Sequence, residues 1–448
     1  MAVTAVLGAP AGAINYTFTT DTSADWASVA NSTYFYDKAD KLVHFKNSTG
    51  TVLEIFAAGG SASGVFGISN TSGVYTYYTT LALAMTAAVS GQVIEMFADF
   101  TQSTATSIEL KDGVNIQGNG HTYTYSVNDT SSALNQTNAG TYNININNIT
   151  ILRTVGTGSV FNQSYVSDGN INFEGSVLKA TGGGHCINSA GGFRFYNITA
   201  ISTTGTGNGI YFWASGIQGT FINCRGINTS SGAGILLGTG GNGNNCYGES
   251  NSGNGLSGSG QFRNCVGKST SGSGIATDGN IYNCSGFSST GYGIDTTNAT
   301  QCVSSAGTSA SNLGIFVGGA YISKCTGISS SGVGIASGTG STQVYDCDGF
   351  SGSNFGGRFA FIGGNVIGGK FQSNWNNAGG HALDIQNINS VSKVIAVCTN
   401  ASAYNIFSGV TYNLKMTQNL FIGGQKTWNP LITNSLSTVE DSQGNIGL

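Results

Sequence analysis

Between Phe221 and Phe350, single apolar residues recur at long regular intervals in a background of Gly, Ser, Thr and Asn. Gly precedes Ile or Leu at Gly234-Ile235, Gly255-Leu256, Gly274-Ile275, Gly293-Ile294, Gly314-Ile315 and Gly334-Ile335, in steps of 21, 19, 19, 21 and 20 residues. A second phrase alternates with it: Asn223-Cys224-Arg225-Gly226, Asn245-Cys246-Tyr247-Gly248, Asn264-Cys265-Val266-Gly267, Asn283-Cys284-Ser285-Gly286, Lys324-Cys325-Thr326-Gly327 and Asp346-Cys347-Asp348-Gly349. A fixed period near 20 residues marks a solenoid in which each repeat is one coil. Helical repeats need apolar residues three and four apart and few glycines, and leucine-rich repeats need several Leu at fixed offsets. Isolated apolar residues between Gly, Ser, Thr and Asn predict short strands and turns instead. The reading is an all-β chain, a single-stranded parallel β-helix with the Cys and the Ile/Leu positions stacked as inward columns. Gly two residues after each Cys shares its face and leaves room for a bulkier inward group.

The phrase extends more loosely at both ends. Backward it is aligned on Ile210, Cys186, Val160 and Leu134, and forward on Phe359, Leu383 and Ile406, in steps of 23 to 26 residues. About 13 coils at the strand spacing of about 4.8 Å span on the order of 60 Å.

The flanks differ. Residues 1-70 read as a small N-terminal β module for attachment or oligomerisation. Thr33-Tyr34-Phe35-Tyr36, Lys41-Leu42-Val43-His44-Phe45 and Val52-Leu53-Glu54-Ile55-Phe56 are expected strands there, followed by a Gly59–Gly64 linker. Residues 71-130 hold an expected helix from Tyr77 to Val89, with Tyr78, Leu81, Met85 and Ala88/Val89 on one face, and then the first coils. A solenoid must cover its open end, and this helix is the expected cap. The β-helix proper is placed at 131-408, and 409-448 as a C-terminal cap or subunit contact, with a last strand pair between Leu414 and Gly424.

Composition narrows the functional classes. Charged residues are 8% of the chain and the net charge is −4, so no basic stripe is available for phosphates. Hydrophobic residues at 39% support a packed core despite 70 Gly. Nine Cys without a Cys-x-x-Cys pair argue against a structural zinc site and fit a column of small buried hydrophobes, with an occasional inter-coil bridge allowed. No metal and no cofactor are expected. The opening residues carry no secretory signal pattern, so the Asn-x-Ser/Thr sequons are read as unglycosylated, and no apolar run is long enough to span a membrane.

The order helix, Ser90-Gly91-Gln92-Val93-Ile94-Glu95, then Leu110-Lys111-Asp112-Gly113-Val114-Asn115-Ile116-Gln117-Gly118-Asn119-Gly120 resembles the first coils of the pectate-lyase-like right-handed β-helix superfamily. The small N-terminal module and Gly/Ser/Thr/Asn-rich coils are similar to bacteriophage tail-fibre and tailspike proteins. The resemblance covers about residues 75 to 405. It implies a virion location, a homotrimer, contacts to other virion proteins through the N-terminal module, and a host cell-surface polysaccharide as partner. It implies enzymes and inert shafts equally, because function resides in the site rather than the fold.

Candidate chemistry is sparse. Tailspike-type hydrolysis needs two carboxylates about 5 to 9 Å apart. Asp346 and Asp348 flank Cys347 and are expected on one outer face. Asp384 lies close to His381 in sequence. Asp278 and Asp295 occupy turns, and Glu174 and Glu249 are isolated. Each reads equally as a surface or turn carboxylate. No calcium loop is present, and His44, His121, His185 and His381 are scattered. Tyr211, Trp213 and Trp375 are the candidate glycan-binding aromatics, with subunit packing as the alternative use. Three readings stand: a virion adhesion protein recognising a host glycan, a polysaccharide depolymerase (lyase or glycoside hydrolase), and a cellular surface adhesin.

Overall fold

The computed structural model describes residues 64–70 and 75–399, apart from positions 139–141, 165–167, 214–217, 298–300, 319–320, 339–341 and 376–380, together with residues 419 and 422 and the backbones of short strands on either side. The chain divides into two compact units, Met1–Ala84 and Met85–Leu448. In the first, Thr33–Asp37, Leu42–Lys46 and Val52–Ala57 form an antiparallel meander, with Thr19–Asp21 parallel to its outer strand. The Gly59–Gly64 linker lies almost wholly outside the described residues.

The expected helix is shorter than the pattern suggests. Tyr75–Tyr78 is a strand paired antiparallel with Phe66–Ser69, and the helix covers Leu81–Ala87. Three tyrosines and a threonine favour extended backbone, and Thr80 starts the helix by accepting the Leu83 N–H on its hydroxyl at 3.2 Å. Within the second unit, Met85 and Ala88 are buried while Val89 is exposed. The Lys111 ammonium donates to the Thr86 and Ala88 carbonyls at 2.7 and 3.1 Å, which satisfies acceptors at the helix end.

The second unit is a parallel β-solenoid of about 12 turns. One coil shows the plan. A first strand, Tyr247–Ser250, is followed by a turn, a second strand Leu256–Gly258, a tight corner and a third strand Gln261–Arg263. First strands stack into one sixteen-stranded parallel sheet. Second and third strands pair in the same way with their counterparts one coil away, for example Leu256 with Ile275 and Phe262 with Ile281. Backbone groups are therefore satisfied along the axis.

The Asn-Cys phrase is the corner between the third strand and the next first strand. Asn119, Asn148, Asn197, Asn223, Asn245, Asn264 and Asn283 all have φ between 50° and 57°, and Ser304, Lys324, Asp346 and Lys393 hold the equivalent corner. Asn tolerates this left-handed conformation because its short amide bonds locally. The turn sends the following Cys inward: Cys224, Cys246, Cys265, Cys284, Cys325 and Cys347 are all buried. Gly267 is needed two residues later. A Cβ there would sit 2.0 Å from the Gly274 carbonyl oxygen and 2.7 Å from Ile275 Cγ1. The inward Ile of the second strand fills that space, and burying one such side chain contributes about 1.5–3 kcal/mol.

Three details of the expected alignment change. Leu134 pairs in register with Phe161, then Ile187, then Ile210, so Val160 and Cys186 were one residue out. The coil after Ile335 continues at Gly357, two residues before Phe359, while Leu383 and Ile406 are in register. Cys302 is buried but pairs with Ile281 and Ile322 in the third strand, and Ser305 occupies the Cys position of that coil, accepting the Cys284 N–H at 3.1 Å. Loops of variable length conceal such slips, because a small shift preserves composition but not face. All nine Cys are buried thiols outside any disulfide.

Beyond Ser408 the coils continue. Lys415–Thr417 and Leu420–Ile422 pair parallel with Ser390–Ser392 and Ile395–Val397, rather than with each other as a terminal strand pair. The Trp428-Asn429-Pro430 segment lies outside the described residues.

Candidate functional site

The expected outward pair Asp346/Asp348 is not a site of two matched carboxylates. Asp346 is the left-handed corner residue, with φ 48°, and it is exposed. Asp348 opens the next first strand, is half-buried, and its Oδ1 accepts the Lys370 backbone N–H at 2.8 Å. Because Asp346 is itself the corner, the simple in-out alternation of a strand does not extend to it.

The remaining candidates converge on the second strands. Their middle residues form one outward column in which Tyr211, Leu236, Ser257, Ala276, Asp295, Phe316, Ala336, Arg358 and Asp384 are consecutive in register. Asp295 and Asp384 are thus four coils apart, about 19 Å at the strand spacing. That separation exceeds the 5 to 9.5 Å span used in glycoside cleavage.

Three places on this face carry functional groups. The first is aromatic. Trp213 is 50% exposed. Tyr211, two residues before it, is half-buried with its ring 4.6 Å from that of His185. His185 accepts the Asn208 backbone N–H on Nδ1 at 2.8 Å, and burial lowers its pKa, which keeps the ring neutral. The second is a surface cleft of about 240 Å³ lined by Ser257, Ser259, Thr277, Asp278, Asp295 and Thr297, with Gly258 and Ala276 at its floor. Burial raises the Asp295 pKa, the Thr297 hydroxyl opposes that shift, and the Asp278 charge adds to it.

The third place gathers Phe355, Arg358, Trp375, His381 and Asp384. His381 is buried and stacked on Phe355 at 5.6 Å, and burial pushes its pKa down to about 4. Trp375 meets Phe355 edge-on at 6.3 Å and is half-buried, where the polar loop around it suggested a fully solvent-facing ring. Arg358 Nε lies 3.4 Å from Asp384 Oδ2. Asp384 is 4% exposed and its Oδ1 has no hydrogen-bond partner. Burial pushes its carboxyl up to about 6 against the opposing pull of Arg358. A buried carboxylate held by one partner titrates near neutrality for this reason.

Of the isolated carboxylates, Glu174 is an exposed turn residue and Glu249 has a structural use. Glu249 accepts the Tyr247 hydroxyl at 2.8 Å and lies 3.6 Å from the Lys268 ammonium. His121 is paired with Asp99 at 3.4 Å. His44 falls where only backbone is described. Among the described residues, no three of His, Cys, Asp and Glu come together in a way that would hold a metal ion.

The outer face of the third strands was missed by the sequence reading. Two positions per strand point outward. One register runs Asn143, Asn170, Arg194, Thr220, Asn242, Gln261, and the other Asn145, Asn172, Tyr196, Ile222, Asn244, Arg263, Tyr282. None of these is a carboxylate. The Arg263 guanidinium lies over the Tyr282 ring at 4.5 Å. The side-chain amides join along the axis: Asn170 Nδ2 donates to Asn143 Oδ1 at 2.9 Å, Asn197 to Asn172 at 3.3 Å and Asn283 to Asn264 at 2.8 Å. The signal was present in Asn143-Ile144-Asn145-Ile146-Asn147, a period-2 pattern with amides on one face.

No helix among the described residues is long and apolar enough to cross a membrane. No family model matches this chain, and searches of curated proteins and of solved structures find no match either.

Proposed function

We propose that this β-solenoid is a rigid adhesion element, of the kind used in phage tail fibres and tailspikes, that recognises a host cell-surface glycan without cleaving it. The observation that carries this reading is the exposed Trp213, one residue past the strand Ile210–Phe212 that sets Tyr211 in the outward column of a stiff stacked sheet. Aromatic faces supply large contact area at low entropic cost, and exposed amides and hydroxyls beside them bond sugar hydroxyls. A sheet whose interior strands are paired on both edges presents such groups in a fixed array, so little ordering is needed on binding. In this reading the protein sits on a virion as a homotrimer, joined to other virion proteins through its N-terminal module. The same surface would serve a cellular adhesin equally well.

The test is retention on immobilised host capsular or lipopolysaccharide glycan. The wild-type protein binds, and Trp213→Ala and Tyr211→Ala each weaken binding at least tenfold with the melting temperature unchanged. Equal binding by all three proteins would refute the assignment of these aromatics.

A second reading, polysaccharide depolymerase, is favoured by Asp278 and Asp295. Two carboxylates in one cleft, with one pKa raised by burial and by its neighbour, are the groups that acid-base glycoside cleavage requires. Glycan shortening that disappears in Asp278→Asn and in Asp295→Asn would establish it in place of simple adhesion.

A further inference from the structure

We infer that the solenoid carries a second glycan subsite, on the third-strand face, that takes a neutral polysaccharide chain lying along the coil axis. It rests on the adhesion reading but uses a different face and different residues. The site is a surface cleft of about 360 Å³ lined by Asn143, Asn145, Asn170, Asn172, Tyr196 and Asn197. Five of these are Asn and one is Tyr, so the lining holds no carboxylate, Lys, Arg or His.

The amides are held in place before any ligand arrives. Asn145 donates to Asn115 Oδ1 at 3.1 Å, Asn172 to Asn145 at 3.5 Å, Asn197 to Asn172 at 3.3 Å and Asn223 to Asn197 at 3.3 Å. Each amide has two donor hydrogens and two acceptor lone pairs. The ladder uses one of each on a side chain bonded to both neighbours, which leaves a donor and an acceptor directed off the sheet. The result is a row of paired donors and acceptors repeating every coil, about 4.8 Å apart.

This row selects a ligand by chemistry. A hydroxyl both donates and accepts, so a chain of hydroxyl-bearing rings can satisfy the row along its length, and Tyr196 offers a ring face for stacking. A carboxylate or sulfate only accepts, so it would leave the outward amide oxygens unpaired on desolvation. Charge at its borders is mixed: Asp112 accepts the Asn143 backbone N–H at 2.9 Å on one side, and Arg194 follows Asn170 in register on the other. The preference is therefore for uncharged sugars, chosen by hydrogen-bond capacity rather than by net charge.

The test uses the full chain on an array of immobilised oligosaccharides, neutral hexose chains beside uronic-acid and sulfated chains. Variants are Asn145→Ala/Asn172→Ala, Tyr196→Ala and, as the control on the other face, Trp213→Ala. The expected result is that a neutral chain is retained, that Asn145→Ala/Asn172→Ala and Tyr196→Ala each bind it at least tenfold more weakly, and that some of this binding survives in Trp213→Ala. Tyr196→Ala decides the matter if the double variant lowers the melting temperature. Neutral-chain binding unaffected by either cleft variant would overturn the subsite and leave the adhesion reading standing. Retention of acidic chains alone would overturn the stated preference. Binding of no glycan at all would remove both readings.

Discussion

Gly267 offers a sharp test of the packing argument, because a single methyl group should separate two kinds of glycine. In the native coil, a Cβ at this position would lie 2.0 Å from the Gly274 carbonyl oxygen, 2.7 Å from the Gly274 carbonyl carbon and 2.7 Å from Ile275 Cγ1. Two of those atoms are backbone. They cannot step aside, since Gly274 donates its N–H to the Tyr292 carbonyl at 2.9 Å and Ile275 donates to Gly293 at 3.0 Å. Gly267 is itself fixed between Gly248 and Gly286 in the first-strand sheet. Gly267→Ala must therefore spread the coil or push Ile275 off its rotamer, at the upper end of the usual overpacking cost, about 3 kcal/mol. Gly183 is the control. It is exposed, and a Cβ there has only Thr157 Cγ2 nearby, at 3.7 Å. Gly183→Ala should be neutral or should stabilise by up to about 1 kcal/mol, by restricting the unfolded chain. Urea unfolding followed by circular dichroism measures both, with transition midpoints and slopes compared among the three proteins. A Gly267→Ala variant within about 0.5 kcal/mol of wild type, or a Gly183→Ala variant equally destabilised, would refute the idea that inward glycines make room for the aliphatic column.

Three further outcomes follow from named interactions. Asn264→Ala should cost about 1–2 kcal/mol, since Ala lacks the amide that lets Asn hold the left-handed φ of 53°, while Asn264→Gly recovers part of that loss; equal midpoints for the two variants would count against the corner argument. Asp384 has a folded pKa raised to about 6, so its contribution to stability is fully present below the unfolded value near 3.8 and is lost as pH rises through 6. Wild type should accordingly lose about 3 kcal/mol between pH 4 and 7 relative to Asp384→Asn, and parallel pH profiles for the two proteins would exclude the raised pKa. The nine buried thiols should resist a thiol reagent at pH 8 in the native protein and all react in denaturant. Burial pushes Cys186 up to about 12 and Cys398 up to about 11, which reinforces their inertness; rapid native labelling of several thiols would contradict the inward column.

The repeat alone determined the architecture. A period near 20 residues with a lone Ile and a lone Cys per unit permits few folds, because each coil must bury those residues against identical neighbours. The space around the Cys-x-Gly phrase was also legible, since only a missing side chain fits beside a stacked Ile. What the Asn before the Cys does was not legible as a motif meaning. A left-handed corner is a backbone conformation, and Lys324, Ser304 and Asp346 adopt it as well as Asn. Register was decided only in three dimensions. Cys302 resembles the other cysteines in spacing, yet the corner at Ser304 places it one column away, because loop length hides a slip that hydrogen bonding along the axis resolves. The same holds for the candidate sites. Sequence spacing put Asp346 and Asp348 on one outer face and Asp278 and Asp295 in turns two and three coils earlier. Stacking brings Asp278 and Asp295 into one cleft, since residues about 20 apart in the chain become neighbours when one coil rests on the next, while Asp346 turns a left-handed corner and Asp348 opens the strand after it.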